Sequence, residues 1–277
     1  MTGKLTIVPT PIGNLGDMPP RALDALREAD VICAEDTRMT GKLLAAFEIE
    51  GKRFERLDEN VMGERAGQIV ARVKQGEVVA YCSDAGMPGV SDPGLRLVAE
   101  ARAAGAPVEV LPGPTAAATA YVASGTTSPA FYFGGFFPRK DKARVDLLES
   151  LRWLDAALIF YESPNRIADS LAAIARVFPQ REVAVCRELT KLHEEVARAT
   201  APALAEDFAA RESVKGEIVI VIDPPFEGEI AADPSDIESR ARELAAQGER
   251  PKSIAKQLAV EFNISRNQAY DIALAAK

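Results

Sequence analysis

The 277-residue chain carries a single histidine, His193, and three cysteines, Cys33, Cys82 and Cys186, each isolated in an apolar run. That scarcity excludes a His/Cys zinc cluster and a disulfide framework, so the thiols read as reduced core side chains. A Ser-His-Asp hydrolase would depend on the one imidazole, and no GxSxG elbow is present to support it. His193, in KLHEE, reads as a surface or structural residue. The chain also lacks GxGxxG after a strand and GxxxxGK[ST], which removes a dinucleotide-binding Rossmann domain and a P-loop. No apolar run reaches the ~20 residues of a membrane-spanning helix. The first residues, MTGKLTIVPTP, lead into a strand pattern instead of a secretion signal, so a cytoplasmic protein is expected. Positive charge is in short supply too: 33 Lys and Arg against 41 Asp and Glu give a net charge of -8. Indiscriminate coating of nucleic acid is thereby disfavoured, because it depends on neutralising phosphates. A local basic patch remains at Arg139, Lys140, Lys142 and Arg144, readable as a solvated helix start or as an RNA phosphate contact.

What is present is globular. Hydrophobic residues make up 47% and charged residues 27% of the chain, ordinary values for a folded protein of two domains. Strand-like runs at Leu5 to Val8, Val31 to Ala34, Val78 to Tyr81 and Val108 to Leu111 alternate with helical patterns, the signature of an α/β layer with a largely parallel sheet. The turn-rich SGTTSP at 124–129 reads as a boundary. Beyond it, strands near Phe131 to Phe133, Ala157 to Tyr161, Val183 to Arg187 and Ile218 to Ile222 alternate with helices in a second α/β set. The pattern predicts α/β domains over 1–124 and 125–223, an acidic proline-containing linker over 224–234, and a helical module over 235–277. In that module SIAKQLAVEFN and SRNQAYDIALAAK, joined by Asn263-Ile264-Ser265, have helix-turn-helix spacing, with Ala259 and Ile264 as packing positions.

Five polar clusters interrupt apolar runs at predicted strand ends, where open α/β sheets bind ligands. The most informative is SDAGMPGVSDPG, where Gly86, Gly89 and Gly94 permit close backbone approach and Asp84 or Asp92 can accept hydrogen bonds from a ligand. A structural turn explains the same composition. The others are TPIGNL after the first strand; Glu35-Asp36-Thr37-Arg38 after VICA; LPGPT before an Ala-rich helix; and a group in the second half, ESPNR, RELT and KGE. Asn14 reads either as a left-handed turn residue or as part of a site, Asp36 or Thr37 either as a helix cap or as a functional group. Buried carboxylates and guanidinium groups at strand ends are costly unless paired or functional.

In their order, PTPIGNLGDMPPRAL, AEDTRMTGKLL, SDAGMPGVSDPG, LPGPTAA, FYFGGFFPRK, IFYESPNRI, RELTKLHEE and KGEIVIVI resemble the bacterial small-subunit ribosomal RNA cytidine 2'-O-methyltransferases of the tetrapyrrole methylase superfamily. The resemblance implies two α/β domains of the tetrapyrrole methylase type, an S-adenosylmethionine cleft between them, and a homodimer. The implied substrate is a cytidine ribose of the decoding region, in ribosomal RNA of the assembled small subunit. It places Pro11, Asp84, Ala85, Gly86, Thr115 and Ala116 at the cofactor, and Asp36, Arg38, Glu162, Arg166 and Glu188 at the catalytic cleft. Thr37, Arg139, Lys140, Arg187 and Arg266 are then expected on the RNA side, and no metal is implied. A carboxylate among Asp36, Glu162 and Glu188 is the expected proton acceptor. Relatives often carry histidine where this chain has Met39, Glu59 and Asn165, which excludes a histidine base there, and Met87 replaces a usual threonine. Two other readings stay open: a methyltransferase of the superfamily acting on a tetrapyrrole or another small molecule, and a non-catalytic helix-turn-helix regulator.

Overall fold

The strand VICA has no exposed residue, as expected where helices cover both faces of a parallel sheet. In the computed structural model, which describes residues 3–226, 229, 234–262 and 264–276, VICA forms β2 (Val31–Ala34) of a five-stranded sheet. Its companions are β1 (Lys4–Ile7), β3 (Arg53–Arg56), β4 (Val78–Cys82) and β5 (Val108–Val110), in the order β3-β2-β4-β1-β5. Every pairing in it is parallel. The crossovers are α1 (Pro20–Glu28), α2 (Thr37–Ala46), α3 (Glu59–Lys74) and α4 (Gly94–Ala103), with α5 (Ala116–Ala123) leaving the sheet. Because β2, β4 and β1 are neighbours, the loops at their carboxyl ends converge on one crevice.

The second sheet is mixed. It contains β6 (Phe131–Phe136), β7 (Ala157–Glu162), β8 (Glu182–Arg187), β9 (Glu195–Thr200) and β10 (Ile218–Ile222), in the order β6-β7-β10-β8-β9. Only β6 and β7 run parallel; β10 pairs antiparallel with β7 and β8, and β8 with β9. Helices α6 (Asp141–Ser150), α7 (Ile167–Val177) and α8 (Ala201–Ala210) bury one face through Leu148, Leu171, Ile174, Leu204 and Phe208. The opposite face receives α5 from the first half: Ala117 and Ala120 pack with Ile159, Ala184, Cys186 and Val221. The Ala-rich composition of α5 thus serves close helix-to-sheet approach and joins the two halves.

The strands β3 and β9 escape sequence periodicity. Both are edge strands rich in charge, RFER and EVARAT, and an edge needs no continuous apolar run. Glu55 of β3 accepts Arg53, Arg65 and Arg72. Two turn expectations are also corrected. Asn14 is extended, with φ -95°, and its side chain accepts the Gly16 N–H. Arg144 does not belong to an exposed basic patch: it is buried and donates from Nε to the Pro138 carbonyl at 2.8 Å.

After the second sheet, α9 (Pro234–Ala246), α10 (Pro251–Glu261) and α11 (Arg266–Ala275) share a small core of Ile237, Leu244, Ile254, Leu258 and Ala269. Ala259 and Ile264 pack against it as expected from the spacing. Ser265 and Gln268 form a capping box that starts α11, while the turn residue Asn263 and most of the expected linker, residues 227, 228 and 230–233, lie outside the described residues. The module meets the second half where the Trp153 indole N–H donates to the Glu261 carbonyl. Among the described residues no helix is long and apolar enough to cross a membrane.

Candidate functional site

The loop after β1 and the loop after β4 are stitched together. Thr10 N–H donates to the Gly86 carbonyl at 2.9 Å, and Gly86 N–H returns the bond to Thr10 at 3.1 Å. Gly86 has φ +77°, and a Cβ there would stand 3.2 Å from Ile12 Cγ2. The position therefore favours glycine on backbone grounds as well as on space. Farther along, Asp92 Oδ1 accepts the N–H groups of Gly89 and Gly94, each at 2.8 Å, which folds the Gly/Pro segment into a fixed loop.

This loop forms one wall of a cavity of about 410 Å³, a volume typical of small-molecule sites. Ile12, Glu35, Asp84, Gly86, Thr115 and Ala116 line the first-half wall, and Phe136, Tyr161, Glu162, Ser163 and Glu217 the facing wall. Burial pushes the Tyr161 phenol above the ordinary range. Phe133 and Phe136 meet its ring edge-on at 4.8 and 5.6 Å. The cavity offers an apolar body with carboxylates at its margin, suited to a ligand with a planar part and a cationic part.

A second recess of about 540 Å³ adjoins it, lined by Glu35, Asp36, Thr37, Arg38, Arg56, Asp58 and Asp84. A relay of backbone bonds orders this side. Glu35 Oε2 accepts Asp84 N–H at 3.2 Å, Asp84 Oδ1 accepts Asp36 N–H at 3.0 Å, and Asp36 caps α2 by accepting Arg38 N–H at 2.9 Å. Arg38 also donates from Nη2 to Asp36 Oδ2 at 2.7 Å, which holds the Asp36 carboxyl well below its usual range. Burial moves Glu35 the other way, upward, with the Asp84 N–H opposing and Asp92, Asp84 and Asp58 adding to the rise.

The remaining expected residues are distributed unevenly. Asp84, Ala85, Gly86, Thr115, Ala116 and Glu162 line the first cavity, and Asp36, Thr37 and Arg38 the second. Glu162 is buried, accepts Ser163 N–H at 2.6 Å, and pairs with Arg166 at 2.5 Å. Pro11 lies between Thr10 and Ile12 beside the first cavity rather than among its lining residues. Glu188 sits on a left-handed turn, φ +51°, and accepts Lys191 Nζ at 2.8 Å and Glu217 N–H at 2.9 Å, which lowers its carboxyl. That turn abuts the first half: a Cβ on Gly13 would meet Lys191 and Thr190, and Asn14 N–H donates to Thr190 Oγ1 at 3.1 Å. Arg187 is tied to Glu195 at 2.8 Å and lines neither cavity. Arg139, Lys140 and Arg266 are exposed and lie outside both cavities. His193 is exposed, and the three thiols are buried and free, each pushed up to about 12.

Sequence reasoning placed Glu35 and Glu217 in its polar clusters without giving either a role, and it missed Tyr161. Glu35 had a signal, its place at the end of β2 before the Asp36 cap, whereas Tyr161 was hidden inside the apolar run of β7.

Residues 4–205 match the family described as Tetrapyrrole (Corrin/Porphyrin) Methylases. The chain is 43% identical over 96% of its length to ribosomal RNA small subunit methyltransferase I of Mesorhizobium japonicum, covering 89% of that relative. It is 42% identical to the protein of that name from Escherichia coli O157:H7, covering 98% of this chain and 95% of the relative. Among solved structures, diphthine synthase superposes with a TM-score of 0.62 at 18% identity over 79% of this chain and 90% of that one. The methyltransferase CobJ gives 0.61 at 20% identity over 80% and 94%.

Proposed function

The chain belongs to the tetrapyrrole methylases and, within them, to the small-subunit ribosomal RNA methyltransferase I group, and from that premise we propose that it methylates the 2'-oxygen of a cytidine in small-subunit ribosomal RNA, with S-adenosylmethionine as donor. One observation carries the choice of RNA over a small molecule. The ribosomal RNA methyltransferases match 96% and 98% of this chain, through its C-terminal helices, whereas CobJ covers 80%. The assembled subunit as substrate form, a homodimer and a cytoplasmic site belong to the same reading and rest on the family resemblance.

The residues present fit the donor. Gly86 leaves room that a Cβ would fill, Ile12 and Ala116 supply apolar surface, and Asp84 stands at the margin for a hydroxyl or ammonium group. When bound there, S-adenosylmethionine supplies a methyl group on a sulfonium, activated for transfer. The protein's work is alignment and proton handling. Thr115 stands on one wall, and Tyr161 and Glu162, the latter braced by Arg166, on the facing one. Arg38 and Arg56, at the rim of the second recess, offer guanidinium groups to RNA phosphates, as do Arg139, Lys140 and Arg266 outside it.

Incubating the protein with methyl-labelled S-adenosylmethionine and small ribosomal subunits, free ribosomal RNA or a tetrapyrrole tests the reading. Label in an alkali-resistant cytidine dinucleotide from assembled subunits is expected. Label on the tetrapyrrole alone, or on nothing, refutes it; label on free RNA alone refutes the assembled-subunit substrate.

A further inference from the structure

We propose that Glu35 is the catalytic base, accepting at Oε1 the proton of the ribose 2'-hydroxyl as that oxygen attacks. The inference rests on the proposed function and assigns a residue to its proton step. Three observations lead to it. First, Glu35 lines both the donor cavity and the adjoining recess, a position shared only with Asp84 among the described lining residues. A group that receives a proton from a nucleophile entering one chamber toward a methyl in the other must reach both.

Second, the expected carboxylates are committed elsewhere. Asp36 holds Arg38, Glu162 holds Arg166, and Glu188 holds Lys191. Each has a cation at hydrogen-bond distance, which weakens it as a base. Asp92 is bound by two loop N–H groups, and Asp58 caps α3 beside Arg56. Glu35 forms no ion pair among the described residues and takes one hydrogen bond, at Oε2 from Asp84 N–H. Oε1 is left for a substrate. Asp84 itself spends Oδ1 on Asp36 N–H, and it is exposed while Glu35 is half-buried.

Third, the surroundings tune Glu35 as a base. Asp84, Asp92 and Asp58 face it with like charge, and its burial favours the protonated form. Arg38 and Arg56 line the recess beside it, each already bonded to a carboxylate, Asp36 and Asp58. Across the donor cavity stand Glu162, neutralised by Arg166, and Glu217, bonded to Lys191. In the step, the O–H bond of the ribose breaks as the Glu35 O–H bond forms, and the 2'-oxygen gains the methyl as the carbon–sulfur bond breaks. The cationic donor and the carboxylate become a neutral thioether and a neutral acid, and Glu35 then releases its proton to water.

The test compares Glu35→Gln with wild type in single-turnover methylation of small subunits across pH, alongside donor affinity by calorimetry. Glutamine keeps an acceptor for Asp84 N–H and removes the base. The expected result is a rate lowered by about 10²–10⁴-fold, unchanged donor affinity, and loss of the rise in rate with pH that wild type shows. An unchanged rate, a retained rise with pH, or lost donor binding overturns the assignment. If the glutamine variant does not fold, Glu35→Asp decides, with a reduced rate and a retained pH rise expected and a full rate overturning it. A wild-type protein that labels no ribosomal RNA fails the functional reading itself, whereas wild-type labelling with an equally active Gln variant fails only this inference.

Discussion

Across the cleft, Glu162 is gripped by Arg166 at 2.5 Å with its side chain 0% exposed, while Glu35 on the facing wall meets a backbone N–H and no cation. The same contrast extends outward. Beyond the wall, the second half pairs Glu188 with Lys191, and Glu195 with Arg187 and Arg211. The first-half wall keeps Asp84 and Glu35 free of cations and spends its backbone N–H groups on them instead. Neutralised pairs give a wall whose shape persists through the reaction, and unpaired carboxylates give a wall that can exchange protons and meet a cationic ligand. Glycine follows the same division: Gly86 opens space for a ligand, whereas Gly13 lets the Glu188 turn press against the first half.

The contrast is broken most severely at the paired wall. Glu162→Ala leaves the Arg166 guanidinium, one nitrogen of which is already buried without a partner, uncompensated. A loss of about 3–5 kcal/mol in unfolding free energy is expected, read by denaturant titration; a loss below 1 kcal/mol would mean the wall does not depend on the pair. On the other wall Gly86→Ala forces a side chain into φ +77° beside Ile12. The expected cost is about 1–3 kcal/mol together with weaker donor binding by calorimetry, and unchanged binding would remove Gly86 from the donor site.

The two halves also differ in sign toward pH. Glu195 is lowered to about 2, first by Arg211 and then, against the opposing burial, by Arg187. Its contribution is present above its ordinary value near 4.5 and is lost as pH falls toward 2. Glu35 is raised, so its contribution is full below the ordinary range and is lost as pH rises through the raised value. Glu195→Gln is therefore expected to flatten the acid side of the stability curve by about 1–2 kcal/mol. Glu35→Gln is expected to gain stability relative to wild type as pH rises. Parallel pH–stability curves for the two variants would erase the distinction.

How much of this was readable in the sequence follows from which interactions are local. VICA and IVIVI declare buried strands because every residue is apolar. RFER and EVARAT do not, because an edge strand is held by one neighbour and by ion pairs to side chains of other segments, Arg65 for Glu55 and Arg211 for Glu195. The Gly86 loop is legible from its own glycines, prolines and carboxylates. Glu35 is not, because its one hydrogen bond comes from Asp84, 49 residues away, and its lack of a cation appears only when the chain is folded. Beside it Asp36 and Arg38 look more reactive in sequence, yet they satisfy each other two residues apart.

The smallest expected effect sharpens the comparison at its exposed edge. Arg38 pairs with Asp36, but its side chain is 86% exposed, so solvent screens the pair and Arg38→Ala should leave the stability close to that of wild type. If the guanidinium serves a phosphate instead, the same substitution weakens subunit binding and lowers the magnitude of its salt slope by about 1, measured as affinity against ionic strength. Arg166→Ala gives the opposite pattern, because that guanidinium neutralises a buried carboxylate: stability falls by about 3–5 kcal/mol with the salt slope unchanged. An Arg38 variant that unfolds like the Arg166 variant, or that keeps the wild-type salt slope, would mean that both walls use their arginines for structure.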